Sequence, residues 1–153
     1  MNNNVYPLSY PQKTIWYMEK LYKNSSMSNV CGTVRLKVGV DFELLNKAIN
    51  TFIKQHDAMR IKIIEENGSP VQFIKEQQDL KFDFVDFSNK SKEEFYLWEE
   101  SESRNPINIF EDNLFKFIMI KFSEQEGGFL IKINHVIGDA WSMMLLTSEI
   151  KDI

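Results

Sequence analysis

The sequence predicts an α/β fold, a mixed and largely antiparallel sheet with helices packed on it. Two nearly continuous apolar runs, Leu114 to Phe122 and Phe129 to Ile133, flank Glu126-Gly127-Gly128. Such runs suit central strands covered on both faces, here antiparallel across a turn. After Asp41, Leu44, Leu45, Ala48, Ile49, Phe52 and Ile53 recur at helical spacing. The chain has 153 residues, 43% of them hydrophobic and 26% charged. That is about one domain, long enough to bury a core without disulfides.

Ser9-Tyr10-Pro11-Gln12 opens the first helix as a capping box, with Ser9 at the N-cap and Gln12 three residues on. Pro11 is tolerated in the first turn, and Ile15, Trp16, Met18 and Leu21 form the apolar stripe. Residues 24–29 read as a loop. Thr33 to Val38 alternates, with Val34, Leu36 and Val38 inward, and predicts a half-buried strand ended by Gly39. Asp41 caps a helix running to about His56. Met59 to Ile64 and Val71 to Ile74 flank Asn67-Gly68-Ser69-Pro70 and predict a hairpin. Leu80 to Phe84 is a further short strand. Ser91 to Arg104 is a helix with an acidic outer face, broken at Asn105-Pro106. After the two central strands, a loop from Asn134 to Asp139 leads to a last helix carrying Trp141, Met144, Leu145 and Ile150. No Gly or Pro stops that helix, so the sequence reads as cut within a longer chain.

Composition excludes several functions. There are 18 basic and 22 acidic residues, net charge −4, which argues against a nonspecific grip on nucleic acid. One cysteine, Cys31, and two histidines, His56 and His135, leave no disulfide framework and make a metal site improbable. No apolar run spans a membrane, and residues 1–5 lack the pattern of a secretion signal, so a cytoplasmic protein is expected. There is no Gly-x-Ser-x-Gly elbow, phosphate loop or dinucleotide fingerprint. Cys31 reads as a structural thiol.

The stretch that can carry chemistry is Asn134-His135-Val136-Ile137-Gly138-Asp139-Ala140-Trp141-Ser142, where a buried strand ends, a loop presents His and Asp, and a helix begins. The spacing alone admits two readings. Either His135 and Asp139 are functional, or Asp139 only caps the helix and His135 is an ordinary loop residue.

This stretch resembles the His-His-x-x-x-Asp-Gly-Trp-Ser motif of nonribosomal peptide synthetase condensation domains. Leu8 to Trp16 is similar to the opening Ser-x-x-Gln motif of that family, and Gln55 to Arg60 to its Arg-His-Glu-x-Leu-Arg motif. Residues 105–116 are similar to its Pro-Phe-Asp-Leu segment. The departures are Asn134 for the first histidine, Ala140 for glycine, and Gln55, Asp57 and Met59 in the second motif. The resemblance covers nearly the whole chain and only the N-terminal lobe of a two-lobed, chloramphenicol-acetyltransferase-like fold, so residues 1–153 are expected to be that lobe without its C-terminal partner.

The resemblance implies an acyltransferase that forms an amide between a carrier-bound acyl thioester and a carrier-bound amino acid. His135 is the implied catalytic residue, as base, as a group that positions the amine, or as a stabiliser of the tetrahedral intermediate. Asn134, Gly138, Asp139 and Arg60 are the implied supports. Backbone N–H groups of Gly138, Ala140 and Trp141 are the candidate oxyanion donors. A further expectation is that Arg60 pairs with Asp139 and fixes the loop. Ser9 and Gln12 are accounted for by capping, and His56 by a helix C-terminus. No permanent cofactor is implied; phosphopantetheine arms belong to partner carrier proteins. Alternatives are an ester-forming acyltransferase of the same superfamily and a noncatalytic carrier-binding scaffold. The isolated lobe is expected to be inactive, with the face toward the missing lobe exposed, apolar and prone to self-association. His135 is expected at the mouth of a channel.

Overall fold

A computed structural model of the chain describes residues 5–76, 78–110 and 113–153. Its elements run β1 Tyr6–Pro7, α1 Tyr10–Leu21, β2 Asn29–Leu36, α2 Phe42–Gln55, a single 3-10 turn Asp57–Arg60, β3 Ile61–Glu66, β4 Ser69–Ile74, β5 Asp83–Asp86, α3 Lys92–Arg104, β6 Phe115–Ser123, β7 Glu126–Asn134 and α4 Ala140–Asp152. The strands form two sheets: a four-stranded sheet in the order β2-β7-β6-β5, and a three-stranded sheet in the order β1-β4-β3. All pairs are antiparallel except β5 with β6.

The central pair behaves as the apolar runs require. Phe115, Phe117 and Met119 of β6, with Phe129, Ile131 and Ile133 of β7, pack against α2 and α4. Ile118, Ile120 and Leu130 point to the opposite face, against Phe87 and Phe95 of the α3 side. Period-two alternation therefore sends Leu130, Lys132 and Asn134 one way and Ile131 and Ile133 the other. A third cluster, including Leu8, Trp16, Ile63, Leu114 and Val136, ties α1 and the hairpin to the end of β7.

Lys132 is the polar exception in this core. Its side chain is 1% exposed, and Nζ donates to the carbonyls of Glu102 and Asn105 at the end of α3, both at 2.7 Å. The Glu102 carboxylate lies 3.8 Å from the same ammonium and 3.2 Å from Lys116. Asn29 Nδ2 also donates to the Asn105 carbonyl at 2.9 Å. A cation thus adds a second donor to carbonyls at the end of α3. Burial pulls the Lys132 ammonium below its usual range, against the Glu102 charge.

Several expected boundaries move. β2 starts at Asn29, and Val38 lies beyond the strand and exposed, because Asn29 to Leu36 is the stretch that faces Asn134 to Gly127. Gly127 and Gly128 lie inside β7; the turn falls between Ser123 and Glu126. A Cβ at Gly128 would sit 1.9 Å from the Val34 carbonyl oxygen, so this glycine marks a close backbone approach. The hairpin turn is Asn67-Gly68, with φ of 51° and 78°, the two left-handed positions of a tight two-residue connection. The strand expected at Leu80 to Phe84 forms at Asp83–Asp86, parallel to Ile118–Lys121. The α1 stripe is also corrected: Leu21 is exposed, and Glu19 is buried.

Candidate functional site

β7 delivers the motif loop from the sheet interior to the surface. The Asn134 N–H donates to the Leu114 carbonyl at 2.8 Å and the His135 N–H to the Ser28 carbonyl at 2.7 Å. Asn134 is 0% exposed, His135 is exposed, and Val136 is buried again. This in-out-in sequence fixes the histidine backbone from both sides while leaving its ring in solvent.

The Asn134 side chain is used at both ends. Its Oδ1 accepts the Val136 N–H at 3.0 Å, closing a local turn. Its Nδ2 donates to Glu19 Oε1 of α1, also at 3.0 Å. The second contact from α1 is Gln12. Its Oε1 accepts the Ser9 N–H at 2.9 Å, completing the capping box, while its Nε2 lies 3.3 Å from the Val136 carbonyl and 3.2 Å from Gln72 Oε1. Capping alone therefore accounts for one end of the Gln12 amide and leaves the other end for the loop.

Gly138 and Asp139 close the loop onto α4. A Cβ at Gly138 would meet Ile133 Cδ1 at 3.0 Å and Ser142 Cβ at 3.1 Å, so glycine lets the chain pass between them. Asp139 is the N-cap: one carboxylate oxygen accepts the N–H and the hydroxyl of Ser142, both at 2.8 Å. These hydrogen bonds, the backbone one first, hold its carboxyl below the usual range, with a smaller contribution from the charge of His135. Ala140 and Trp141 occupy the first turn, whose N–H groups have no carbonyl partner within the helix. Trp141 is 66% exposed, and Met144 and Leu145 continue this apolar outer face.

The expected pairing of Arg60 with Asp139 is not formed. The Arg60 guanidinium binds the Asp57 carboxylate and the Lys75 carbonyl, the latter at 3.1 Å. The reason is local: Arg60 ends the 3-10 turn that Asp57 begins, and its own carbonyl accepts the Lys75 N–H at 2.9 Å. Arg60 instead lines a cleft of about 340 Å³ with Lys75, Phe73 and Leu80. His135 is not among the residues lining this cleft or the clefts at Glu19–Phe110, His56–Glu149, Asp41–Gly127 and Leu97–Asn105.

His56 caps the end of α2, stacks on Phe52, and places Nε2 2.7 Å from Glu149 of α4, lining a cleft shared with Ile137 and Ser142 of the motif stretch. Cys31 lies within β2, where burial pushes its thiol up to about 11. Among the described residues, no cluster of His, Cys, Asp and Glu could hold a metal, and no helix is long and apolar enough to cross a membrane. Sequence reasoning missed Glu19. The available signal was its spacing: Glu19 lies seven residues after Gln12, on the same helix face, among apolar neighbours.

Comparison with known proteins places this geometry in a family. Residues 2–153 match the family model described as Condensation domain. The chain is 34% identical over 158 residues to surfactin synthase subunit 1 of Bacillus subtilis (strain 168), covering 100% of this chain and 4% of that protein. It is 26% identical to bacitracin synthase 3 of Bacillus licheniformis, over 97% of this chain and 2% of that protein. Its fold matches the starter condensation domain of rhizomide synthetase with a TM-score of 0.89 at 18% identity, covering 96% of this chain and 38% of that one. The first condensation domain of the CDA synthetase matches with a TM-score of 0.85 at 13% identity, covering 96% and 39%. A substituted form of the rhizomide domain has been solved in complex with C8-CoA and Leu-SNAC.

Proposed function

The chain belongs to the condensation-domain family, and on that premise we propose that it is the N-terminal lobe of an amide-forming acyltransferase of nonribosomal peptide synthesis. It spans a small part of its curated relatives and 38% of a solved condensation domain, so the reaction is assigned to the whole domain. The donor is an acyl or peptidyl thioester and the acceptor an amino acid, each carried on the phosphopantetheine arm of a partner carrier protein. The acceptor amine attacks the thioester carbonyl, the C–N bond forms, and the C–S bond breaks to release the thiol. The proton leaving the amine is taken up by the His135 imidazole and returned to the departing sulfur. A thioester is already activated, so alignment and proton management are the main demands on the protein.

The observation that carries this reading is the exposed His135 ring on a backbone fixed by Asn134 and Val136. Asp139 contributes as the cap of α4, whose first-turn N–H groups at Ala140 and Trp141 are the donors that would stabilise an oxyanion. Arg60 acts elsewhere, bracing the hairpin. The second lobe covers the face of Trp141, Met144 and Leu145 and supplies the other wall of the channel.

The test is His135→Ala in the full-length synthetase, with both carriers loaded and amide product measured in a single turnover. The expected loss is about 10²- to 10⁴-fold in rate. An unchanged rate would overturn the proposal in favour of a noncatalytic carrier-binding scaffold.

A further inference from the structure

A carboxylate is buried where the motif loop leaves the sheet, and the proposed reaction does not use it. Glu19 is 5% exposed. Among the described residues its hydrogen-bond partner is Asn134 Nδ2, at 3.0 Å. A carboxylate shielded from water has to recover its hydration from neighbours. Asn134 returns part of it, and Asn134 also holds the Val136 N–H at 3.0 Å. Glu19, Asn134 and Val136 thus form a continuous chain of contacts that ends one residue past His135.

We propose that Glu19 is a positioning residue for His135, setting the imidazole by fixing the orientation of the Asn134 amide. The proposal rests on the assignment of His135 to the reaction. The Asn134 amide could rotate by half a turn about its last bond, exchanging oxygen and nitrogen. Only one orientation presents an acceptor to the Val136 N–H. A carboxylate can accept but not donate, so Glu19 selects that orientation and excludes the other. Gln12 supports the same loop through the Val136 carbonyl at 3.3 Å. The seven-residue spacing of Gln12 and Glu19 puts both on one face of α1, so one helix registers two consecutive parts of the turn. The amide at position 134, unlike an imidazole, carries no titrating proton of its own. The substitution of Asn134 for a motif histidine therefore leaves the loop anchored.

The experiment is a polarity swap in the full-length synthetase. Asn134→Asp opposes two carboxylates and should lower kcat at least 30-fold, with the KM for the loaded acceptor carrier changed less than threefold. The double variant Glu19→Gln/Asn134→Asp restores the contact with donor and acceptor exchanged, and should recover kcat to within fivefold. The ring resonances of His135 should move in Asn134→Asp and return in the double variant, a readout that does not depend on turnover. Failure of the double variant to recover kcat overturns the proposal, as does an Asn134→Asp protein with parental kcat. Should Asn134→Asp not fold, the double variant is decisive alone: folded with recovered kcat supports the pairing, unfolded or inactive overturns it. An inactive role for His135 would show differently, as ring resonances that follow the swap while kcat does not respond to His135→Ala.

Discussion

Lys132 tests whether this fold gains or loses by burying a charge. Replacing it with Met keeps the length of the side chain and removes the ammonium. Two hydrogen bonds of 2.7 Å are lost, to the Glu102 and Asn105 carbonyls. Charge-assisted bonds of this kind contribute about 1.5–3 kcal/mol each, so the gross loss is about 3–6 kcal/mol. Neither carbonyl is orphaned: Asn29 still donates to Asn105 at 2.9 Å, and the Asn105 N–H still donates to Glu102 at 3.2 Å. Glu102 keeps Lys116 at 3.2 Å. Against the loss stands the hydration of the ammonium, whose removal costs several kcal/mol in a buried site. The depressed Lys132 ammonium shows that desolvation outweighs the attraction of Glu102. The expected net effect of Lys132→Met is therefore within about 2 kcal/mol of zero. Lys132→Ala also removes the packing of the stem, about 0.8 kcal/mol per methylene, and should be about 2–3 kcal/mol worse than Met. Urea unfolding followed by tryptophan fluorescence measures both.

The sign with pH follows from the same shift. The folded protein holds the Lys132 proton less tightly than the unfolded chain does. Stability should therefore rise with pH as the ordinary lysine value of 10.5 is approached from the folded value below it. Cys31 acts oppositely, because its raised thiol makes stability fall between 9.0 and about 11. The comparison belongs in a Cys31→Ser background, where the upward slope should be present with Lys132 and absent with Met. A loss above about 4 kcal/mol in Lys132→Met, or an equal slope in both proteins, would refute the reasoning.

Two other predictions test the fold directly. At pH 8, a thiol held at about 11 is ionised about 100-fold less than one at 9.0, so Cys31 should react with a thiol-exchange reagent about 100-fold more slowly in the folded protein than in urea. Gly128→Ala drives a Cβ to within 1.9 Å of the Val34 carbonyl oxygen, which lies on backbone and cannot rotate away; the loss should exceed about 4 kcal/mol and show as a protein without a cooperative unfolding transition.

Those cases also show what was legible in the sequence. The capped helices were readable because Ser9, Asp41 and Asp139 act over two or three residues, and each is an observed N-cap. The apolar runs of β6 and β7 were readable because burial on both faces leaves no other composition. Gly127 and Gly128 misled, because a glycine demanded by a facing strand looks the same in sequence as one demanded by a turn. Arg60 misled in another way: an expected partner across the fold lost to Asp57, three residues away. The His135 loop was legible as a motif, but its support from Glu19 was not, since that contact spans 115 positions.

That span has a consequence for assembly. β2 and β7 meet with Asn29 opposite Asn134, so their pairing closes a loop of roughly a hundred residues. The His135 N–H bonds to Ser28 at the same seam. Helices, the hairpin and the β6–β7 turn can form from near neighbours, but this seam requires almost the entire polypeptide to be in place. Nonlocal pairings of this kind form slowly. Recovery of the reactive loop should therefore trail the recovery of helical structure whenever the protein refolds, making that loop the last part of the molecule to become native.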